Sequence, residues 1–335
     1  DEQSQRKLIE ILKILSEHRE PLGARVLANE LKRRGFDLNE RTVRYHMRIL
    51  DERGLTENLG YDGRLITPQG REEISKALLS NRMDFINTKI ESLIFKMDFN
   101  PETGSGNIVV NLGIMESKHF HEAAKIMKRV ILAGFAVCPM VKILTEGQSY
   151  ENYTVPQDKV MIATVCSITL DGIIHKAGIP VSPKFGGVVQ VVNGTPLRFS
   201  DAITYAGSTL DPHDIMAVKG LSTISKAVQT GTGQILANFR EIPMEALKTA
   251  KQCLSEVQKF GVRGTLMIGE PNQPVLGVTP GMGRVGVCFV GGTNPLAAIG
   301  ETGFPIQTKA IEGLMRFEEM IPANELTTSP IVRQR

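Results

Sequence analysis

The sequence predicts an α+β protein in two parts, a small helical unit closed by a hairpin and a larger α/β unit built from two copies of one pattern. Two observations carry this prediction. Residues 4–80 hold successive helical hydrophobic stripes followed by a turn signal between β-prone runs. Further on, the string TGSGNIVVNL at 103–112 returns as TGTGQILANF at 230–239, an offset of 127. At 335 residues and 41% hydrophobic composition, the chain is globular and long enough for two or three domains.

The elements of the first part follow in order. In SQRKLIEILKILSEH, Leu8, Ile11, Leu12 and Leu15 fall on one side of a helix, and in PLGARVLANELKRRG the period is kept by Val26, Leu27 and Leu31. A short turn, Gly35 to Leu38, leads into NERTVRYHMRILDERG. There Asn39 is an N-cap, Leu38 and Val43 take the two positions of a hydrophobic staple, and Gly54 sits at the C′ position, so a helix runs from about Glu40 to Arg53. Val43, Met47 and Leu50 make its apolar stripe, which leaves Arg41, Arg44, Tyr45 and Arg48 outward. Alone, this is an ordinary solvated helix; its neighbours change the reading. In TENLGYDGRLIT, Asp62-Gly63 marks a hairpin, and Thr67-Pro68 opens a further helix, REEISKALLS. Helix, helix, cationic helix, hairpin, helix is the order of a winged helix-turn-helix, whose recognition helix enters the DNA major groove.

Residues 1–80 carry 15 Lys+Arg and 14 Asp+Glu, a net of only +1, so an interface with double-stranded DNA rests on where the charges stand. Arg41, Thr42, Arg44, Tyr45 and Arg48 are the candidate contacts on the helix, and Arg64, at the wing tip, is the candidate for phosphate or the minor groove. One winged helix makes few contacts, so a homodimer on a palindromic operator is expected.

No apolar run approaches the length of a membrane span and nothing resembles a signal peptide, so a cytoplasmic protein with no membrane partner is expected. Cys138, Cys166, Cys253 and Cys288 are widely spaced, which argues against a zinc ribbon or a disulfide framework. With a net charge of +3, the whole chain is not a non-specific polyanion binder.

In the second part, each copy of the glycine-rich string leads to an amphipathic helix, SKHFHEAAKIMKRVILAG and then PMEALKTAKQCLSEVQKFG, and on to an apolar strand, FAVCPMVKIL and then VRGTLMIG. A second block repeats as well. VMIATVCSITLDGIIHKAGIPVSPK pairs with VGVCFVGGTNPLAAIGETGFPIQTK, which sets Cys166 against Cys288, Gly178 against Gly303, and Pro180 with Lys184 against Pro305 with Lys309. The expected layout is a winged-helix domain at 1–80, a connector at 81–88 and a duplicated effector-binding and dimerisation domain at 89–322. Its halves are about 89–185 and 217–322, with an extra segment at 186–229 between the repeated blocks, and a tail at 323–335 reads as the start of a further segment. IESLIFKMDF fits both an alternating strand and a heptad of Met83, Ile86, Ile90, Leu93 and Met97. The glycine-rich turn that follows favours a hairpin from near Lys89, with a helix only before it.

Each copy ends an apolar strand in a turn that opens a short helix, ITLDGIIHKAG and VGGTNPLAAIG, with Asn294 as a cap and Pro295 as the first helical residue of the second. A helix N-terminus offers free N–H groups to an anion, so Thr169, Asp171, Gly172, Gly291, Gly292, Thr293 and Asn294 are candidate effector contacts, with Lys184 and Lys309 as countercharges. The plain alternative is that the glycines only serve tight turns. Cys138 and Cys166 are candidates for a pocket wall rather than nucleophiles, since nothing nearby lowers a thiol pKa. GMGRVG at 281–286 matches the dinucleotide fingerprint but precedes a strand-like run, so it is read as a turn. His119 and His121 are two apart on a helix and no metal site is expected.

The strings TGSGNIVVNLGI, VCPMV, SPKFGGVVQV and GVTPGMGRVGVCFVGGTNPLAA, behind such a winged helix, resemble the NrpR family of archaeal nitrogen-regulatory repressors over nearly all of residues 5–322. The resemblance implies a transcriptional repressor of nitrogen-assimilation genes, not an enzyme and without a cofactor, which is released from its operator by 2-oxoglutarate as effector. Two other readings compete: a metabolite-converting enzyme fused to a DNA-binding domain, and a winged-helix docking component of the transcription machinery.

Overall fold

The computed structural model describes residues 2–75, 85–151 and 153–326. The chain divides into two units, Asp1–Met83 and Asp84–Arg335. Unit one contains α1 (Glu2–Glu17), α2 (Ala24–Arg33), α3 (Glu40–Glu52), β1 (Thr56–Asn58), β2 (Arg64–Ile66) and α4 (Pro68–Ser75). Its core is the expected stripe: Leu8, Ile11, Leu12 and Leu15 meet Leu27, Leu31, Val43, Met47 and Leu50, all buried. Val26 is a correction, being 47% exposed. It stands one residue off the line of Ala24, Leu27 and Leu31, about 100° around the helix from Leu27.

The ends of α3 have local causes. Asn39 Oδ1 accepts the Thr42 N–H at 2.9 Å, and Gly54 takes φ +69° just beyond the C-cap. β1 and β2 pair antiparallel from Thr56–Ile66 to Asn58–Arg64, and Leu22 adds backbone bonds of 3.0 Å in both directions with Arg64. Gly63 at φ +110° makes this approach possible, because a Cβ there would fall 2.4 Å from the Leu22 backbone. Thr67 Oγ1 accepts the Gly70 N–H at 3.0 Å and caps α4, as expected. The part of the expected helix beyond Ser75 lies outside the described residues.

Unit two opens with α5 (Phe85–Lys96), where the sequence reading placed a hairpin from Lys89. Leu93 and Met97 suit both patterns. The helix is decided by Ile86, Ile90 and Ile94, which are buried with them, while Phe95 is 81% exposed. These side chains fill the unit's own core rather than a two-chain seam; Met83 lies outside the described residues.

The first copy then runs β3 (Asn107–Glu116), α6 (Phe120–Leu132), β4 (Met140–Thr145), the small hairpin β5 (Ser149–Tyr150) and β6 (Tyr153–Thr154), β7 (Lys159–Val165), α7 (Ile168–Lys176) and β8 (Ser182–Val192). After β9 (Thr195–Thr204), α8 (Pro212–Val218) and α9 (Ile224–Thr230), the second copy runs β10 (Gly233–Pro243), α10 (Leu247–Glu256), β11 (Thr265–Ile268), β12 (Arg284–Val290), α11 (Asn294–Glu301) and β13 (Ile306–Arg316), with β14 (Ile321–Pro322) after it. The first copy therefore extends through Val192, past the expected limit at 185, because β8 is the counterpart of β13.

The two sheets are ordered β13-β3-β7-β4-β14 and β11-β12-β10-β8-β9, with antiparallel neighbours. The last strand of each copy crosses over: β8 pairs with β10 of the second copy, and β13 pairs with β3 of the first. The halves are thus interlocked rather than merely adjacent. Repeat equivalence also corrects one match. The N–H groups of Cys166 and Gly291 donate at 2.8 Å to the carbonyls of Val109 and Leu236, which stand 127 residues apart, so the counterpart of Cys166 is Gly291. Cys288 lies inside β12, opposite Phe239.

Candidate functional site

The outer face of α3 comes from its sequence spacing. Arg41, Arg44, Tyr45 and Arg48 are exposed, and Val43, His46, Met47 and Leu50 are buried beneath them. Arg44 pairs with Glu40, and Arg48 lies 3.8 Å from Glu52 with its guanidinium 5.8 Å from the centre of the Tyr45 ring. These are surface pairs of low strength that a phosphate or a base edge can outcompete. Thr42 is already engaged, its hydroxyl donating to Asn39 Oδ1 at 3.0 Å. His46 stacks edge-on to Tyr45 at 5.5 Å, and burial, with Lys7 nearby, holds its pKa below the usual histidine value. A neutral ring at that place adds no charge to the face.

Arg64 is not at the wing tip. It sits in β2, 18% exposed, and its Nε and Nη2 donate to Asp51 Oδ2 at 3.2 and 3.0 Å, tying the wing to α3. The turn at Gly60–Asp62 carries the tip, and Tyr61 there is fully exposed. Sequence reading passed over Tyr61 although it stands in the turn string itself. Arg25, Asn29 and Lys32, three and four residues apart on α2, line a cleft of about 400 Å³ that reaches Asn39 at the start of α3. Asp37 and Glu40 line the same cleft, so it carries both signs of charge.

In unit two the candidate turns are closed. Thr169 Oγ1 accepts the Val109 N–H at 3.1 Å and donates to the Val109 carbonyl at 3.0 Å. At the equivalent place, Asn294 Oδ1 accepts the Leu236 N–H at 2.9 Å and its Nδ2 donates to the Leu236 carbonyl at 3.0 Å. Asn294 is therefore the first residue of α11 and a clamp on β10, rather than the N-cap, which is Thr293. The glycines bring backbones into contact: a Cβ on Gly292 would fall 2.3 Å from the Val165 carbonyl, on Gly291 2.8 Å from the Leu236 carbonyl, and on Gly172 2.4 Å from Met97. Thr164 Oγ1 donates to the Gly292 carbonyl at 2.8 Å, joining the copies.

Asp171 and Arg240 are both fully buried, bonded Nε to Oδ1 at 2.5 Å and Nη2 to Oδ2 at 2.7 Å. Burial raises the Asp171 pKa and Arg240 pulls against it. Arg240 Nη2 also donates to Ser167 Oγ at 3.2 Å, whereas Nη1 finds no partner among the described residues. Sequence reading missed Arg240, whose signal was a lone arginine inside the apolar run LANFREI. By repeat equivalence Gly113 stands where Arg240 does and Leu296 where Asp171 does, and a Cβ on Gly113 would meet Leu296 at 2.9 Å. One contact between the copies is apolar where its counterpart is an ion pair. His213 joins the same junction, its Nε2 3.0 Å from the Ala237 carbonyl and Nδ1 3.3 Å from Thr293 Oγ1. Burial lowers its pKa to about 4 and raises Asp211 and Asp214 beside it to about 6 each.

Lys184 and Lys309 lie in different sheets, each beside a carboxylate, Glu241 at 3.1 Å and Glu312 at 3.6 Å. Cys138 is buried in the link before β4 and Cys166 just after β7; burial pushes both thiols up to about 12, away from nucleophile behaviour. GMGRVG turns at Gly283, φ +71°, into β12, not into a helix. No helix among the described residues is long and apolar enough to cross a membrane.

Comparison with known proteins agrees with this architecture. A family model described as NrpR regulatory domains NRD1 and 2 matches residues 83–322, and one described as the ribonuclease R winged-helix domain matches 9–74. The chain is 40% identical over 320 residues to a Methanosarcina mazei protein named global nitrogen regulator NrpRI, covering 96% of this chain and 98% of that one. It is 33% identical over 316 residues to the global nitrogen regulator NrpR of Methanococcus maripaludis, of which it spans 54%, about half the length. The crystal structure of a nitrogen repressor-like protein from Methanococcus jannaschii matches with a TM-score of 0.61 at 28% identity, covering 70% of this chain and 97% of that chain. With the regulatory-domain model spanning well over half of its residues and a relative matched from end to end, the chain belongs to the NrpR family.

Proposed function

We propose that this protein is a transcriptional repressor of nitrogen-assimilation genes, which binds a palindromic operator as a homodimer through α3 and leaves it when 2-oxoglutarate binds unit two. The observation that carries the reading is the exposed row of Arg41, Arg44 and Arg48 on a capped helix, in a chain whose larger unit is a regulatory-domain pair. Relatives named global nitrogen regulators support the biological setting.

The effector reading is supported by chemistry at the junction of the copies. A dianion leaves water only for paired charges and converging donors. Arg240 Nη1 is a buried cationic donor without a hydrogen-bond partner among the described residues, on a guanidinium that also bonds Ser167 and Asp171 at the start of α7. The ligand therefore acts by opening this junction, not by settling into a preformed anion hole. Lys184 remains a candidate for countercharge once Glu241 releases it.

A gel-shift titration on an inverted-repeat operator tests the reading. Retardation is expected without 2-oxoglutarate and a weaker shift with it at millimolar concentration. An operator affinity indifferent to the compound, together with no calorimetric heat of binding, would remove the effector assignment.

A further inference from the structure

A cavity in unit two opens beside β3 at Leu112 and Ile114, three and five residues beyond Val109, and its origin is in the way the two sheets differ. In the sheet of β10, β8 and β9, Phe239 of β10 stacks on Phe185 at 5.2 Å and meets Phe199 edge-on at 6.5 Å, so this side of the sheet is filled with rings. The repeat-equivalent positions in the other sheet are Leu112 of β3 for Phe239 and Ala310 of β13 for Phe185. The lost ring volume is not made up. A cavity of about 230 Å³ remains, lined by Leu112, Ile114 and Met161 and by Tyr150, Glu151, Tyr153, Lys309 and Glu312. At about 30 Å³ per water, that is room for roughly eight water molecules, or a ligand of about six to ten heavy atoms that protrudes a little.

The wall carries both signs of charge. Lys309 Nζ stands 5.9 Å from the Tyr153 ring centre and only loosely, at 3.6 Å, from Glu312, which also faces Lys89 at 3.4 Å. An ammonium thus already occupies the aromatic and carboxylate corner, supplied by the protein itself. On the other side, the β5–β6 hairpin folds over the cavity. Tyr150 Oη donates to the Leu314 carbonyl at 2.8 Å, and only Gly313 permits the closure, since a Cβ there would lie 2.4 Å from Tyr150 Oη and 3.0 Å from Glu151 Oε1. The backbone is strained on both rims: Glu151 has φ +49° and Ile311, a β-branched residue, φ +51°, with the Ile311 N–H held by Asn111 Oδ1 at 3.0 Å. Strain of this kind persists where the surroundings hold a side chain or a cavity in a needed form.

We propose that this cavity binds a small α-amino acid as its zwitterion, with the ammonium group between the Tyr153 ring and Glu312, the carboxylate on Lys309, and the side chain on the Leu112, Ile114 and Met161 floor. The zwitterion replaces the loose Lys309–Glu312 pair with two partners of opposite charge and leaves the net charge of the wall unchanged. A dicarboxylate without an ammonium group does not meet this arrangement, so the site is separate from the effector junction and does not depend on it.

Calorimetry on the full chain with L-alanine and L-glutamine as probes tests the proposal, with pyruvate as the counterpart of alanine that lacks the ammonium. Binding of at least one amino acid at millimolar concentration is expected, with none for pyruvate. Glu312→Gln is expected to weaken it by about 10- to 100-fold, the loss of a charge-assisted bond. Leu112→Phe installs the residue of the second copy and is expected to abolish binding while the thermal transition is kept. No heat with either amino acid, equal heat with pyruvate, or binding that survives Leu112→Phe would each overturn the proposal. A 2-oxoglutarate response that persists in any of these cases leaves the repressor reading standing.

Discussion

At the scale of single residues, exposure separates the arginines of α3 from Arg64. Arg44 and Arg48 are about two-thirds exposed, whereas Arg64 is closed against Asp51. Arg44→Ala and Arg48→Ala are expected to cost about 1 to 3 kcal/mol of operator binding each where the side chain reads a base, measured by fluorescence anisotropy. Arg64→Ala is expected instead to lower the melting temperature of the winged helix, with a smaller loss in affinity. A larger affinity loss from Arg64→Ala than from both α3 changes would reverse this assignment. Titration adds a second residue-level expectation. His213, lowered to about 4, contributes stability that is complete above about 6.5, the unfolded value, and is lost as pH falls through 4. Asp211 and Asp214, raised to about 6, contribute stability that is complete below about 3.9 and lost as pH rises through 6. Between pH 4 and 6 the histidine opposes the two carboxylates. In His213→Asn the gain in melting temperature on acidification over that window is expected to exceed that of the parent chain; an equal or smaller gain would mean that the ring is not held neutral.

At the scale of elements, legibility in the sequence followed whether a signal was local. The α3 helix could be read because Asn39, Val43, Met47, Leu50 and Gly54 speak to their own neighbours within a few turns. The duplication could be read because the glycine-rich string that opens β3 returns at β10 with its glycines, isoleucine and asparagine in place. α5 could not be decided, since Leu93 and Met97 serve both a strand and a helix, and the deciding fact is tertiary: Phe95 points outward while Ile90 and Ile94 point in. The partners of β8 and β13 were equally hidden, because alternation marks a strand and does not name the sheet that receives it. The candidate turns were located correctly as helix starts, but their glycines serve backbone contact instead of an open anion hole. That places Thr169 and Asn294 among the clamps. Thr169→Val and Asn294→Ala each orphan a buried N–H, on Val109 and Leu236, while the carbonyls keep a partner in the Cys166 and Gly291 amides. A cost of about 1 to 3 kcal/mol each is expected from the unpaired donor, read as a lower denaturation midpoint of unit two. A neutral outcome for both would show that the clamps are incidental.

At the scale of the whole molecule, release from DNA is a matter of how strongly an effector prefers one form. Taking a repressor from almost fully bound to almost fully free needs a preference of roughly 10⁴-fold, about 5.5 kcal/mol, which is a large demand on one small anion. Sharing it between the sites of a homodimer halves the demand on each. The operator dissociation constant is therefore expected to rise with more than first-power dependence on 2-oxoglutarate, followed by titrating the gel shift at fixed protein; a strictly hyperbolic response would put the whole burden on a single site. The buried Arg240–Asp171 pair suits such a role, because an interior ion pair contributes little net stability and can be rearranged at modest cost when a new partner arrives.

The crossing of β8 and β13 has a bearing on where such a molecule comes from. One repeat made by itself would display a surplus edge and lack a complementary one, and its nearest remedy is a twin molecule offering the reciprocal strand. Tandem fusion of two such twins converts a mutual exchange between chains into an internal knit, after which each module is free to diverge without losing its mate. One sheet is filled by aromatic rings and a buried arginine, while its counterpart keeps a hollow.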